Sequence, residues 1–163
     1  MTQHDQQFRS LCSALLRAGK TLATAESCTG GGIAKALTEL PGSSAVFLGG
    51  AVTYTDAMKK ALLGVPQELL DIHTAVSASC AKAMAEGIRE RTGAFLAVSA
   101  TGYAGPGGGT EQDPVGTVYI GIASPRTCFA ERFSAPTNAT RREIREAVIL
   151  RALELLLQEA EQL

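Results

Sequence analysis

The sequence predicts an α/β protein, a three-layer α/β/α sandwich on a mixed, mostly parallel sheet. Two observations lead there. Through the first hundred residues, helical stretches alternate with short apolar runs, the pattern of strands joined by helices. Two consecutive strand-like runs, Val115 to Ala123 and Thr127 to Phe133, then meet through Pro125 and read as an antiparallel pair. That hairpin is what makes the sheet mixed.

Each element has its own signal. Phe8, Leu11, Cys12, Leu15 and Leu16 recur at helical spacing between about Gln6 and Ala18, and Gly19 ends the helix. Thr21 to Ala25 reads as a buried strand, and Ile33 to Leu37 as the body of a helix reaching about Leu40. Pro41-Gly42-Ser43-Ser44 is a turn. Ala45 to Tyr54 is apolar without alternation, as in a strand covered on both faces. Asp56 is expected to cap a short helix carrying Met58, Lys59, Leu62 and Leu63, which stops at Gly64. Pro66 opens another near Leu69, Leu70 and Ile72. Ser77 or Ser79 starts a helix through Ala81, Met84, Ala85 and Ile88 to Gly93, and Phe95 to Ala100 is a further buried strand. Arg141 to Gln158 is a long final helix. From Ala147 to Leu157 it is apolar on nearly all sides, which calls for deep burial or a partner subunit, and a homodimer is expected.

Composition narrows the function. The chain has 163 residues, 45% of them hydrophobic, enough for one domain over 1–163 with a sizeable core. Fifteen Lys and Arg against sixteen Asp and Glu leave no basic excess for nucleic acid, and with no Trp there is little for base stacking. The polar start, Thr2 to Gln7, is unlike a signal peptide, and no apolar run reaches a membrane-spanning length of about 18 residues. A cytoplasmic protein with neither nucleic acid nor membrane as partner is expected. Cys12, Cys28, Cys80 and Cys128 are widely spaced and only His4 and His73 could assist them, so no metal and no cofactor is expected. Three read as core thiols. Cys28, beside Ser27 at the start of a helix, is expected to have a lowered pKa.

In open α/β sheets, ligands collect at the carboxyl ends of the strands. Three segments bring small or polar residues there. Ser27, in Ala25-Glu26-Ser27-Cys28-Thr29-Gly30-Gly31-Gly32, stands where a strand hands over to a helix, whose free N–H groups suit an anion or an oxyanion. A plain helix cap reads equally well. Lys59 follows the second strand. A solvated lysine is the ordinary outcome, but Lys60 beside it fills that role and leaves Lys59 to turn inward, where a buried lysine serves as a base. Thr101 leads into a loop, Gly102 to Thr110, with five glycines in nine residues, a candidate anion-binding nest or a flexible surface loop. It has neither the Lys-Ser/Thr pair of a Walker loop nor the following helix of a dinucleotide fingerprint. Arg141, Arg142 and Arg145 open the last helix, where cations oppose the dipole. Pairing with Glu143 or Glu146 would relieve this, and so would an anionic ligand.

Together these segments resemble the CinA C-terminal domain family, whose stand-alone form is a nicotinamide-nucleotide amidohydrolase. The resemblance rests on Ala25 to Gly31, Tyr54 to Lys59 with Leu62-Leu63-Gly64-Val65, Ala75-Val76-Ser77, Thr101 to Thr110, Pro114 to Tyr119 and Arg141 to Arg145. It implies hydrolysis of the carboxamide of nicotinamide mononucleotide to nicotinate mononucleotide and ammonia. On the matching positions, Ser27 is implied as nucleophile and Lys59 as its base, with Tyr54, Thr101 and Arg141 lining the site. Thr29, Gly30 and Gly31 after the serine, and Gly105, Gly107 and Gly108 in the loop, are expected to hold the substrate with Arg141. The chain departs from the family in Thr55-Asp56, where Ser-Asn is common, and in Ala139-Thr140, where Gly-Asp is. Asp56 puts a carboxylate near Lys59, which would favour its charged form. Two alternatives stand beside the hydrolase: a nucleotide-binding module without catalysis, acting through a protein partner, and a cysteine hydrolase using Cys28.

Overall fold

In the computed structural model, which describes residues 3–163, five strands form one sheet in the order β2-β1-β3-β4-β5. They are β1 (Leu22–Glu26), β2 (Phe47–Val52), β3 (Leu96–Gly102), β4 (Thr117–Ala123) and β5 (Cys128–Ser134). β2, β1 and β3 run parallel; β4 and β5 complete the sheet antiparallel to their neighbours. The register is what makes a site possible. Glu26 pairs with both Val52 and Ala100, so the carboxyl ends of the three parallel strands finish level at one edge.

Among the described residues, six α-helices cover the faces: α1 (Gln3–Ala18), α2 (Gly32–Thr38), α3 (Asp56–Leu63), α4 (Gln67–His73), α5 (Ala78–Thr92) and α6 (Arg141–Ala160). α1, α2 and α6 pack together on one face, and α3 and α4 pack on α5 on the other. Strand periodicity separates the two cores. Along β3, Leu96, Val98 and Ala100 join Leu15, Ile33 and Leu153 on the first face, while Ala97 joins Met84 and Leu63 on the second. On that second face Ser99 and Thr101 replace methyl packing with hydrogen bonds, donating to the carbonyls of Ala81 and Ala75 at 2.6 and 2.8 Å.

Two expectations change and a third is narrowed. β2 is not covered on both faces: it is an edge strand with alternate residues exposed, Leu48 and Val52 among them. Its lack of sequence alternation reflects Gly49 and Gly50, and the backbone of Gly50 lies against the Thr24 side chain with no room for a Cβ. Asp56 does not cap α3. Thr55 does, accepting from the Met58 amide at 3.3 Å, and Asp56 is the first helical residue. Finally, α6 finds its cover inside the chain. Ile144, Val148, Ala152, Leu153, Leu155 and Leu156 are buried against α1 and the sheet, and Ile149 packs on Gly32 of α2. Most of the apolar pattern is thereby taken up within one chain, with Ala147, Ile149, Leu150 and Leu157 half-buried, and the homodimer stays an expectation. Among the described residues, no helix is long and apolar enough to cross a membrane; Thr2 of the polar start lies outside them.

Candidate active site

Ser27 is the first residue after β1. Its amide donates to the Ala100 carbonyl at 2.9 Å, extending the β1–β3 pairing by one bond, and its carbonyl accepts from the Gly30 amide at 3.0 Å. The chain thus turns at once, and left-handed φ values of 60° at Gly30 and 92° at Gly31 carry the reversal into α2. Gly31, not Ser27, is the N-cap of α2. The cap reading of Ser27 therefore fails, and its hydroxyl is free of any helix duty.

Lys59 meets it there. Lys59 lies one turn into α3, 2% exposed, while Lys60 faces solvent. Its Nζ is 3.1 Å from Ser27 Oγ and 2.9 Å from the Thr53 carbonyl oxygen. Burial pulls its pKa below the ordinary lysine range; Cys80, Asp56 and Cys28 pull the other way and lose. The Asp56 carboxylate, exposed at the helix start, is a lesser influence than desolvation. A lysine in this state releases its proton more readily than one in water.

The helix N-terminus behind Ser27 is not vacant, contrary to the sequence reading. Glu26, 1% exposed, turns its carboxylate onto it and accepts from the amides of Ile33 and Ala34 at 2.8 and 3.0 Å, and from Thr29 Oγ1 at 2.6 Å. The Gly32 amide goes to the Thr29 carbonyl. Sequence reasoning missed Glu26, because nothing in the spacing shows that a strand-ending carboxylate folds back on the next helix. Cys28 is also a correction. It stands four residues before α2, and burial pushes its thiol up to about 11, offset in part by its own backbone amide. It is a poor nucleophile at neutral pH.

The cleft beside Ser27 holds about 200 Å³, walled by Cys28, Tyr54, Tyr103, Gly105 and Arg141. A cavity of about 400 Å³ between α1, α2 and α6, lined by Phe8, Lys35 and Ile149, does not reach Ser27. Arg141, the first residue of α6, ties the cleft walls together. It donates to the Gly105 carbonyl at 2.6 Å and to Tyr54 Oη at 2.7 Å. Arg142 takes the expected local pairing, with Glu146 at 2.9 Å. Thr140 closes a capping box with Glu143, so this chain's departure from the acidic family residue keeps a helix cap at that place. Among the described residues, neither Arg141 nor Arg145 forms an ion pair. Arg145 instead donates to the Thr29 carbonyl at 3.1 Å.

Of the expected site residues, Ser27, Lys59, Tyr54, Gly105, Gly107 and Arg141 come together at this cleft. Thr101 does not line it, its hydroxyl being committed to Ala75 on the α5 side. Thr29 is fully buried, Gly30 and Gly31 shape the turn, and Gly108 abuts the Tyr103 ring. Among the described residues, no cluster of three or more His, Cys, Asp or Glu could hold a metal ion.

Residues 5–160 match the CinA C-terminal domain. A CinA-like protein of Parasynechococcus marenigrum is 48% identical over 155 residues, 93% of this chain and 36% of its own length. A CinA-like protein of Myxococcus xanthus is 61% identical over 111 residues, 68% of this chain and 26% of its own. The chain thus spans about a quarter to a third of the length of these curated relatives. Among solved structures, the competence/damage inducible protein CihA of Agrobacterium tumefaciens superposes with a TM-score of 0.92 at 40% identity, over 97% of this chain and 96% of that one. A CinA superfamily protein of Klebsiella pneumoniae gives 0.93 at 31% identity, over 99% and 100%. With its three layers, its level strand ends and its sequence all in agreement, this chain belongs to the CinA C-terminal domain family.

Proposed function

We propose that this chain is an amidohydrolase that uses Ser27 as nucleophile and Lys59 as its base, acting on the carboxamide of nicotinamide mononucleotide. The observation that carries the reading is the 3.1 Å approach of a buried, pKa-lowered lysine amine to a serine hydroxyl at the mouth of a cleft. In its neutral form Lys59 donates one N–H to the Thr53 carbonyl, which directs its lone pair toward Ser27 Oγ–H. Oγ then attacks the amide carbon while the proton passes to Nζ. Collapse of the tetrahedral species returns that proton to the departing nitrogen and releases ammonia. Water, deprotonated by the same amine, then attacks the acyl-serine; collapse releases the acyl group as the carboxylic acid, and Nζ returns the proton to Ser27 Oγ.

Four amides after Ser27 are already engaged, and of the rest Cys28 lines the cleft where Thr29 and Gly31 do not, so the oxyanion is assigned to the Cys28 amide and the glycine loop. Arg141, with no ion pair among the described residues, offers its guanidinium at the cleft wall for the nucleotide phosphate, with Tyr54 beside it. The test is ammonia release from nicotinamide mononucleotide. Ser27→Ala and Lys59→Ala should each remove nearly all turnover, by about 10³-fold or more, and the double variant should be little worse than either. Substantial activity in Ser27→Ala would overturn the mechanism. Full binding with no turnover in the wild type would favour the non-catalytic nucleotide-binding module instead.

A further inference from the structure

We infer that Arg145 and Glu26 are positioning residues for Ser27, acting through Thr29. The inference rests on the serine–lysine reading above and goes beyond it, because neither residue lines the cleft.

The nucleophile stands on a turn closed by one backbone bond, from the Gly30 amide to the Ser27 carbonyl. Two glycines with left-handed φ follow, and glycine supplies little stiffness of its own. Something outside the turn must hold it. Thr29, fully buried, is gripped from two sides. Its hydroxyl donates to Glu26 Oε1 at 2.6 Å, and its carbonyl accepts from Arg145 Nη2 at 3.1 Å. The Glu26 carboxylate is itself anchored by the first amides of α2, at 2.8 and 3.0 Å. Arg145 projects from α6, one turn after Arg141, which spans the cleft wall. The turn is therefore registered against both helices that flank the site.

Arg145 is also out of place as a merely structural residue. It forms no ion pair among the described residues, and its Nε is buried without a partner. Leaving a buried guanidinium donor unpaired is costly, and an aliphatic residue would fill the same volume without that cost. The guanidinium also fills the space beside the turn: a Cβ on Gly30 would stand 3.0 Å from Arg145 Nη2. The fold keeps a charged fork there, aimed at the Thr29 carbonyl two residues beyond the nucleophile.

The experiment reads the nucleophile directly. A fluorophosphonate should phosphonylate Ser27 in the wild-type chain, Oγ displacing fluoride from phosphorus, followed as a mass increment on the Ser27 peptide. Arg145→Met should slow that labelling by about 10²-fold, the cost of a displacement of about 1 Å at a reacting atom. In turnover of nicotinamide mononucleotide, kcat should fall in parallel while KM stays within about twofold of wild type. Arg145→Lys, which keeps one charged donor, should recover part of the rate. Thr29→Val, which removes only the hydroxyl link to Glu26, should slow labelling where Thr29→Ser does not, so the inference stays testable if Arg145→Met does not fold. Labelling within twofold of wild type in folded Arg145→Met or in Thr29→Val overturns the positioning role. A wild-type chain that does not label at Ser27 overturns the serine–lysine reading, and this inference with it.

Discussion

Lys59 sets the pH behaviour of the site. Its pKa lies below the ordinary lysine value near 10.5 because burial disfavours the ammonium. A base must be neutral, so kcat/KM should rise with pH through that lowered value and level off before 10.5. A profile that still climbs at the pKa of a solvated lysine would contradict the assignment. The same shift has a stability consequence of fixed sign. Between the two pKa values the unfolded chain holds a proton that the folded chain has lost, so folding stability rises with pH there. At lower pH Lys59 is charged in both states and its desolvation cost is borne in full. The stability of Lys59→Met relative to wild type should therefore be most favourable below that lowered value and decline as pH approaches 10.5, as followed by urea unfolding. Arg141 supplies a second test at this scale. Arg141→Ala should raise KM for nicotinamide mononucleotide by about 10- to 100-fold, the worth of a charge-assisted hydrogen bond, and leave the phosphate-free riboside nearly unchanged. Equal effects on both would return Arg141 to its tie between Gly105 and Tyr54.

Elements are where the sequence is most and least legible. Ser27 and Lys59 are 32 positions apart, yet each follows a parallel strand, and parallel strands in register deliver their ends to one edge. That logic can be read from an alternating pattern of helices and strands. Glu26, Arg145 and the true duty of Thr101 could not, because they depend on which way a side chain leaves a strand end or crosses from a helix to a turn over a hundred residues away. The edge position of β2 was equally hidden, since Gly49 and Gly50 erase the alternation that marks a half-exposed strand. Gly87 illustrates a signal visible only as an anomaly, a glycine inside a helix. A Cβ there would overlap the Leu63 carbonyl oxygen at the end of α3. Gly87→Ala must push α3 away from α5, and Lys59 rides on α3. It should cost about 1 to 3 kcal/mol in urea unfolding, as overpacking does, and lower kcat in the same variant. A loss of stability with kcat unchanged would show that Lys59 is held by its own contacts rather than by its helix.

At the scale of the whole molecule, α6 is the member that joins core to site. Its first turn carries Arg141 and Arg145 to the cleft and the nucleophile turn, and the rest of the helix is sunk between α1 and the sheet. Leu156 is fully buried in that stretch, packed in the first core. Were the helix instead half of a subunit interface, its burial would depend on association, and unfolding would shift with protein concentration. Burial within one chain makes the opposite demand. Leu156→Ala should destabilise by about 2 to 5 kcal/mol, the range for removing a leucine side chain from a packed core. Its deficit against wild type should be the same at micromolar as at a hundredfold higher concentration. The mass by light scattering should be identical in the two proteins, whatever that mass is. A deficit that shrinks as concentration rises, or a change in mass on substitution, would place Leu156 in an interface and make α6 the ground for a homodimer.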